Sequence, residues 1–354
     1  MVTGAPKRLS RIVSLASAMT LGLAAIMPTS TMAAAYASPQ PPASHWITST
    51  NYRYPGNDGK HHAVSWDKYS YMIDDHHLNI WSGEVHYWRL PSPHQWRDVL
   101  QKMKAAGFNA VSFYFFWGYH QSAPDSPFDF SGIRNIDLLL RMAAEEGLYV
   151  IARPGPYINA EISMGGMPAW QTNSSLPLRN AWDNTNWQQQ RAWLHAVNKI
   201  IARHQVTNGG GSVLLYQVEN EELASVGPYA DYVKKIIKAA KEDGINVPIF
   251  HNDYAPVGNW AFTTKDTGLD VYSYDDYPIR FDCSATRHKL QDHNWHIDPA
   301  FRAAHHSPHF IAEAQGGAFT PWGASFNASA CEKFVDANFL SLIHISEPTR
   351  PLYI

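Results

Sequence analysis

The sequence predicts an α/β fold, a (β/α)8 TIM barrel, from three observations. Short apolar segments of strand length alternate with segments whose apolar residues recur at the helical period. The strand-length segments are almost continuously apolar, which is typical of parallel strands that are buried on both faces. Polar, aromatic and acidic residues gather directly after these segments, at the edge where a barrel places its functional loops.

An open, doubly wound sheet is the competing topology, and the glycine pattern argues against it. A dinucleotide-binding sheet carries Gly-x-Gly-x-x-Gly after its first strand, and a phosphate-binding loop carries Gly-x-x-x-x-Gly-Lys-Ser/Thr. The sequence has neither motif in those places. The glycines Gly209–Gly211 precede a strand rather than a helix, so we expect a connection there and not a phosphate site.

The first half of the predicted barrel has three strands and two helices. We expect the strands at Leu78–Tyr87, Phe108–Trp117 and Leu148–Ala152. The first helix ends at Gly107, and its apolar face consists of Trp96, Val99, Leu100 and Met103. The second helix ends before Gly147, and its apolar face consists of Ile136, Leu139, Leu140 and Ala143.

The second half has four strands and two further helices. A long helix is predicted from about Trp187 to His204, and another, which ends at Gly244, buries Val233, Ile236, Ile237 and Ala240. The strands are expected at Ser212–Glu219, Val247–Asn252, Leu269–Tyr274 and His309–Ala314. Because the barrel has eight strands and the pattern yields seven, we expect the sequence to be truncated before the eighth.

Composition excludes several classes of protein. With 45% apolar and 17% charged residues among 354, the chain can bury a large core and is not globally disordered. The net charge of −3 and the lack of a long basic run argue against a nucleic-acid partner. Aromatic residues reach 13%, which suits either stacking on sugar rings or a large aromatic core.

The two ends are predicted to lie outside the folded domain. Basic residues Lys7, Arg8 and Arg11 precede the apolar stretch Ile12–Met27, and small residues follow at 33–37. This pattern predicts a signal peptide at 1–37, and hence a secreted, extracellular protein with no membrane contact after cleavage; an uncleaved anchor is the alternative.

From about 341 the sequence loses its helical pattern and is similar to a translated sequencing-adapter tail. We therefore expect a catalytic barrel domain at 38–340 and a non-native tail at 341–354, the alternative being a genuine terminal extension.

Two glutamates occupy positions suited to catalysis. One is Glu219 or Glu221 in the segment Gln217–Glu221, which ends the fourth predicted strand, and the other is Glu313 at the end of the seventh. Retaining glycoside hydrolysis needs two carboxyl groups about 5–5.5 Å apart, and strands four and seven face each other across a barrel mouth. A rim salt bridge is the alternative for any single strand-end glutamate. Alternation does not separate Glu219 from Glu221, because residues two apart share a face.

Four segments together resemble glycoside hydrolase family 35, the β-galactosidases. They are Ser82–Tyr87, Arg153–Glu161, Gln217–Glu221 and Glu313–Gly317, and the resemblance runs in order from about Trp46 to Leu340. Tyr274–Pro278 and Phe281–Cys283 are similar to the large secreted multidomain members. The resemblance implies that Glu221 is the acid/base, that Glu313 is the nucleophile, that Asn220 binds the sugar 2-hydroxyl and that Glu219 is a structural carboxylate.

The resemblance also implies the residues that recognise galactose and a disulfide. The recognition set is Tyr114, Asn159, Ala160, Glu161 and Tyr277, although Glu161 could instead pair with Arg153 and Tyr114 could simply be core. Cys283 and Cys331 are the only cysteines; a single pair in an exported protein favours one disulfide, with two free thiols as the alternative, and the family carries a similarly spaced pair.

The implied activity is that of a secreted, retaining exo-β-galactosidase. It would release terminal β-galactose from an oligosaccharide or plant polysaccharide, and it would need no cofactor. Alternatives are a relative in the same clan that acts on another β-sugar, and an inactive carbohydrate-binding fragment. The histidine clusters His61–His62, His76–His77 and His305–His306 with His309 are not expected to bind metal, whereas His86 is expected near the sugar.

Overall fold

The computed structural model describes residues 58–173, 178–223, 225–255, 257–276, 304 and 306–314. All seven predicted strands fall within these ranges. Several predictions lie outside them, namely the signal peptide 1–37, the tail 341–354, the galactose contact Tyr277 and the cysteines Cys283 and Cys331.

A small antiparallel sheet precedes the main one. Its strands, in spatial order, are β1 (Val64–Trp66), β2 (Tyr71–Ile73) and β3 (His76–Leu78). Asp74 and Asp75 form the turn between β2 and β3 with φ of 50° and 64°, the left-handed conformation that a two-residue hairpin requires and that aspartate tolerates. The prediction of one strand over Leu78–Tyr87 was therefore wrong in its first part, because Leu78 belongs to this hairpin.

The main sheet is parallel and has seven strands in the described residues. They are β4 (Ser82–Val85), β5 (Ala110–Tyr114), β6 (Tyr149–Arg153), β7 (Val213–Gln217), β8 (Ile249–Asp253), β9 (Val271–Asp276) and β10 (Ile311–Ala314). Each strand pairs with the next one along the chain, so the spatial order runs from β4 to β10 without reversal. A doubly wound sheet reverses its order at a switch point. The sequential order is that of a barrel, which confirms the winding that the sequence predicts.

Helices connect the parallel strands. They are α1 (Pro93–Ala105), α2 (Trp117–His120), α3 (Ile136–Glu145), α4 (Asn184–Ile201), α5 (Gly227–Glu242) and α6 (Thr264–Thr267). Short 3-10 helices lie at Tyr87–Arg89, Gly132–Arg134, Ser163–Gly166, Ala169–Asn173, Ala202–His204 and Val206–Asn208. No helix in the described ranges has both the length and the apolar character to span a membrane.

Local sequence signals set the helix ends. The Ser92 side chain accepts a hydrogen bond from the Gln95 main-chain NH and so caps α1, which begins with proline. The side chain of Asn135 caps α3 in the same way. Gly107, which follows α1, has a φ of 95°, a conformation that glycine adopts without steric cost. The predicted stop at Gly107 is thus confirmed.

The core lies between the sheet and the long helices. Every residue of β5, β6, β7 and β8 is buried. Trp96, Trp117, Trp193 and Trp260 are wholly buried, and the rings of Trp117 and Trp193 are stacked with centroids 6.3 Å apart. Because each such ring buries a large apolar area, these tryptophans stabilise the core and are not available for sugar stacking.

Because the strands are parallel, their carboxyl ends all lie at the same end of the sheet. Tyr114 pairs in register with Arg153, and Glu313 pairs with Asp275. The carboxyl ends of neighbouring strands therefore bring together side chains that are far apart in sequence, as the barrel prediction requires.

Candidate active site

Glu313 is held at the end of β10 by donors from three other strands. Its Oε1 accepts hydrogen bonds from the Tyr114 hydroxyl (2.5 Å) and from the Arg153 guanidinium, and it lies 3.4 Å from the Asn252 amide nitrogen. Hydrogen bonds and an adjacent cation favour the ionised form of a carboxyl group. The arrangement suits a carboxylate that must attack in its charged state.

Arg153 is the central cation of the strand edge and is almost completely buried. Its Nη2 also donates to Asn220 Oδ1 at 2.8 Å, and its Nη1 lies 3.6 Å from Glu84 Oε2. The guanidinium carbon sits 3.9 Å from the centre of the Tyr114 ring. A planar guanidinium can serve two carboxylates and an amide from one position, which a lysine ammonium does less well. Arg153 pairs with Glu84 and Glu313, whereas the alternative considered above paired it with Glu161.

Asn252, at the end of β8, links the segments that carry Glu221 and Glu313. Its Oδ1 accepts from the Glu221 main-chain NH (3.2 Å) and from the Gln217 side chain (2.7 Å). Its Nδ2 donates to Asp275 Oδ2 at 2.6 Å and lies 3.4 Å from Glu313 Oε1. One amide on β8 therefore contacts groups at the ends of three other strands, β7, β9 and β10.

Asp275 adds a third carboxyl group to this cluster. It is 1% exposed, and burial raises its pKa well above the ordinary value; the negative charge of Glu313 adds to the rise, while Arg153 opposes it. Burial and a neighbouring negative charge both disfavour the ionised form of a carboxyl group. Asp275 therefore ionises less readily than an exposed aspartate would.

Glu221 lies just beyond β7 in a left-handed backbone conformation, with φ of 48°. That conformation is uncommon for a residue with a β-carbon and persists where surrounding contacts enforce it. Burial raises the pKa of Glu221, and the charge of Glu313 raises it further. A raised pKa suits a carboxyl group that must donate a proton near neutral pH.

Glu219 occupies a different environment although it lies only two residues earlier. Its carboxylate is completely buried and forms a two-pronged ion pair with Arg179, whose Nε is 2.8 Å from Oε1. Burial raises the pKa of Glu219, and the Arg179 charge opposes that rise. The strand ends at Gln217 and Glu219 also has a positive φ (59°), so strand alternation does not apply beyond it. The expectation that Glu219 and Glu221 could share a face was therefore wrong.

Glu313 opens into a pocket of about 170 Å³, which we call the polar pocket. It is lined by Glu84, Tyr114, Asn159, Ala160, Glu161, Glu313 and Ala314. Four of the predicted galactose contacts thus meet the predicted nucleophile in one cavity. Asn220 and Glu221 line a neighbouring cavity, which we call the loop pocket, together with Tyr157, Arg179, Leu223, Tyr254 and Asn259.

The Asn159–Glu161 segment of the polar pocket is strained. These three consecutive residues have φ of 52°, 53° and 49°, and none is glycine. Arg89 holds the segment by donating to the Ala160 carbonyl at 2.9 Å. Burial raises the pKa of Glu161, and Glu313 and Glu84 add to the rise. Left-handed runs of this kind occur where a site fixes its side chains.

The sequence analysis assigned no role to Glu84, Asn252 or Asp275. Glu84 lies within the segment Ser82–Tyr87 and Asp275 within Tyr274–Pro278, both of which carry the family resemblance, and Asn252 ends the fifth predicted strand. Position at a strand end is the signal that could have identified them. His86 contacts Glu84 (2.8 Å), so it lies beside the polar pocket, near which the sequence placed it.

Several of the described histidines pair with carboxylates, among them His62, His195 and His204. His62, for example, lies 2.9 Å from Asp58 and 2.6 Å from Asp74. Within the described ranges, no three His, Cys, Asp or Glu side chains are grouped so that they could hold a metal ion.

Comparison with known proteins identifies the family. Residues 70–345 match the family model of glycosyl hydrolases family 35. The chain is 40% identical over 282 residues to the protein named "Probable beta-galactosidase C" from Aspergillus fumigatus, covering 76% of this chain and 28% of that protein. It is 37% identical over 292 residues to the protein of the same name from Sclerotinia sclerotiorum, covering 80% and 29%. The chain therefore spans less than a third of the length of these relatives.

A solved structure supports the fold independently. The β-galactosidase of Rahnella sp. R3 superimposes with a TM-score of 0.53 at 13% identity, covering 75% of this chain and 48% of that one. At this identity the likeness concerns the fold alone. The family match and the identity to these relatives lead to one conclusion: the chain belongs to glycosyl hydrolases family 35.

Proposed function

We propose that this chain carries the catalytic domain of a secreted, retaining exo-β-galactosidase, with the domain at 38–340 and Glu313 and Glu221 as the reacting groups. The observation that carries the proposal is the polar pocket, where the Glu313 carboxylate meets four residues that the family resemblance assigns to galactose. Family membership and the β-galactosidase names of the relatives support the same substrate class.

In the first step, Glu313 attacks the anomeric carbon. The carbon–oxygen bond to the leaving group breaks, and Glu221 gives its proton to the departing oxygen. Tyr114 and Arg153 hold Glu313 in position and in its ionised form before attack. The products of this step are the alcohol and a galactosyl ester on Glu313.

In the second step, Glu221 acts as the general base and Glu313 is the leaving group. Glu221, now a carboxylate, takes a proton from water, and the water oxygen attacks the anomeric carbon. The ester bond to Glu313 breaks, and β-galactose leaves with its configuration retained. Asn252 supports both steps because it binds the Glu221 main chain and lies against the Glu313 carboxylate.

Preference for galactose is assigned to the strained segment and its neighbours. Asn159, Ala160, Glu161 and Tyr114 line the pocket, and Asn220 and Tyr277 complete the set by resemblance. An amide and a carboxylate can bind the axial 4-hydroxyl. A sugar with an equatorial 4-hydroxyl would leave such groups unpaired, at a cost of about 1–3 kcal/mol per group.

Three further features belong to the same proposal. The seven described strands form part of an eight-stranded barrel, as in other members of this barrel class. Residues 1–37 direct secretion, and Cys283 forms a disulfide with Cys331. A thiol titration under denaturing conditions, with and without reductant, tests the disulfide.

A panel of aryl glycosides tests the activity. We expect hydrolysis of the β-galactoside in preference to the β-glucoside and β-N-acetylglucosaminide, and loss of turnover in Glu313→Gln, which keeps the side-chain shape. Preferred hydrolysis of another β-glycoside would indicate a glycosidase of the same clan that acts on that sugar instead. Full activity of Glu313→Gln would contradict the nucleophile assignment.

A further inference from the structure

The linings of the loop pocket and the polar pocket are linked by Arg153, whose Nη2 donates to Asn220 of the loop pocket and to Glu313 of the polar pocket; the inference drawn from this link rests on the proposed function. The polar pocket and the loop pocket share no lining residue, and Glu221 belongs to the second. A general acid has to lie within hydrogen-bond distance of the oxygen that it protonates. If galactose occupies the polar pocket, the group on the far side of the glycosidic oxygen enters the pocket that Glu221 lines.

One wall of the loop pocket is a flat, charge-compensated surface. The Arg179 guanidinium lies 4.1 Å from the centre of the Tyr157 ring. Its charge is matched by Glu219, by the Asn220 carbonyl (2.6 Å) and by Glu222 (3.4 Å). A cation whose charge is matched in this way offers its planar face and its aliphatic stem to a neighbour more than its charge.

The rim of the loop pocket is apolar and exposed. Leu223 is 56% exposed and Tyr254 is 54% exposed. They lie on different loops, one after β7 and one after β8, and both line the same cavity of about 440 Å³. Large apolar side chains that converge on one cavity from two loops indicate a binding surface more than isolated exposed residues do.

The two loops are fixed to each other by hydrogen bonds. The Asn259 amide donates to the Leu223 carbonyl, and the Trp260 indole donates to the Glu222 carbonyl. The Glu222 main-chain NH donates to His251 Nε2 at 3.0 Å, and Trp260 is wholly buried. The main chain at Leu223 is therefore held in place before a substrate arrives, which lowers the entropic cost of binding.

A second cavity extends the flat wall. Tyr157 and Arg179 also line a pocket of about 520 Å³, whose other walls include the apolar side chains Ile162, Met164, Met167 and Leu178. A leaving group that reaches past Tyr157 would meet this apolar surface. The geometry therefore favours leaving groups that are longer than a single small substituent.

We propose that the loop pocket is the leaving-group subsite and that it selects leaving groups with an extended apolar surface, such as an alkyl or aryl aglycone. Leu223 and Tyr254 contact that surface at the rim, and the Tyr157–Arg179 wall contacts it further in. A leaving group that is only polar gains little from these side chains.

The test compares hexyl and methyl β-galactoside, whose leaving alcohols have similar acidity. We expect kcat/KM of the unaltered protein to be about tenfold higher for the hexyl substrate, because several methylenes are partly buried. Leu223→Ala and Tyr254→Ala should each lower this hexyl-to-methyl ratio by about threefold. Phe262→Ala is the matched control: Phe262 is 73% exposed but does not line the pocket, so the ratio should not change.

A second measurement needs no variant. By reversibility, an acceptor alcohol that attacks the galactosyl ester occupies the leaving-group subsite, so hexanol should capture more product than methanol at equal concentration. Equal use of the two substrates and of the two alcohols would overturn the inference, as would a ratio that both rim variants leave unchanged. Failure to hydrolyse either galactoside would instead contradict the proposed function itself.

Discussion

The end of β7 separates two regions that use the same residue type for opposite purposes. On one side, Glu219 is buried with Arg179 and takes part in a closed ion pair. On the other, Glu221 lines a cavity, and burial together with Glu313 raises its pKa. Glu219 thus fixes the loop through its ion pair, whereas Glu221, two residues later, has a carboxyl group that can exchange protons.

Burial raises the pKa of both carboxyl groups, that of Glu219 to about 7, so the two residues differ in their partners. Glu219 is the more buried of the two, yet Arg179 satisfies both of its oxygens. Glu221 has its main chain fixed by Asn252, and its Oε2 lies 3.4 Å from the Asn220 amide nitrogen in the cavity. Both residues depend on a left-handed backbone, with φ of 59° and 48°, that turns them in different directions.

The largest expected effect comes from Glu221→Gln. Loss of the proton donor should lower kcat/KM for an alkyl β-galactoside by about 10³-fold, within the usual range for general acid catalysis. A dinitrophenyl leaving group needs no proton, so its bond cleavage should slow far less. Steady-state kinetics with both substrates measure the difference. Equal losses on the two substrates would contradict the acid assignment.

Glu219→Gln should act mainly on stability. Removing one partner of a buried ion pair leaves the Arg179 charge less well matched, and we expect a loss of about 3 kcal/mol in the free energy of unfolding. Its effect on kcat/KM should be smaller than that of Glu221→Gln and independent of the leaving group. Urea denaturation and the same kinetic pair measure both. A leaving-group-dependent loss in this variant would break the comparison.

Asn252→Ala should impair the positioning of Glu221 and Glu313, the two proposed catalytic groups, while both side chains remain unchanged. It removes the amide that binds the Glu221 main chain and lies against Glu313, so kcat should fall by about 10- to 100-fold through loss of positioning. Asn198→Ala is the control: Asn198 is also buried, but it binds the Tyr216 hydroxyl (2.6 Å) and Asp243. That control should lose stability and keep kcat. Similar kcat losses in both variants would indicate a general packing effect.

Asp253, at the end of β8, adds a third kind of carboxyl group to the comparison. Burial raises its pKa to about 7, although main-chain donors at Trp260 and Ala261 oppose the rise. The unfolded chain ionises Asp253 above about pH 4, so stability should fall with rising pH until about pH 7, by about 1.4 kcal/mol per pH unit. Asp253→Asn should lessen that slope, while Asp275 and Glu219, whose pKa values burial also raises, still contribute to it; denaturation at a series of pH values measures the difference.

Asp243 supplies the control for this pH dependence. It is also buried, but hydrogen bonds from Arg191, His195 and Asn198 outweigh the effect of burial and lower its pKa. Asp243 is therefore ionised in both the folded and the unfolded protein above pH 4. Asp243→Asn should leave the slope between about pH 4 and 7 unchanged. An Asp253→Asn variant with the same slope as the unaltered protein would show that Asp253 does not contribute to it.

Local patterns predicted the elements of the fold better than the contacts of the site. Apolar runs identified all seven parallel strands, and Gly107 marked the end of α1. Both features depend on residues that are close together in the sequence. The strands β1 to β3 were missed, since each has three residues and His76 and His77 are exposed. Strand-end position also indicated Glu221 and Glu313. The Arg179–Glu219 ion pair and the contacts of Asn252 join residues that are distant in sequence, so no local pattern could reveal them.

The most direct test of the mechanism is to trap the galactosyl ester. A 2-deoxy-2-fluoro-galactoside with a good leaving group slows the second step more than the first, so the ester should accumulate. Peptide mass analysis should then locate one fluorogalactosyl group on Glu313, and the Glu313→Gln variant should remain unlabelled. A label on Glu221 or on any other residue would contradict the account.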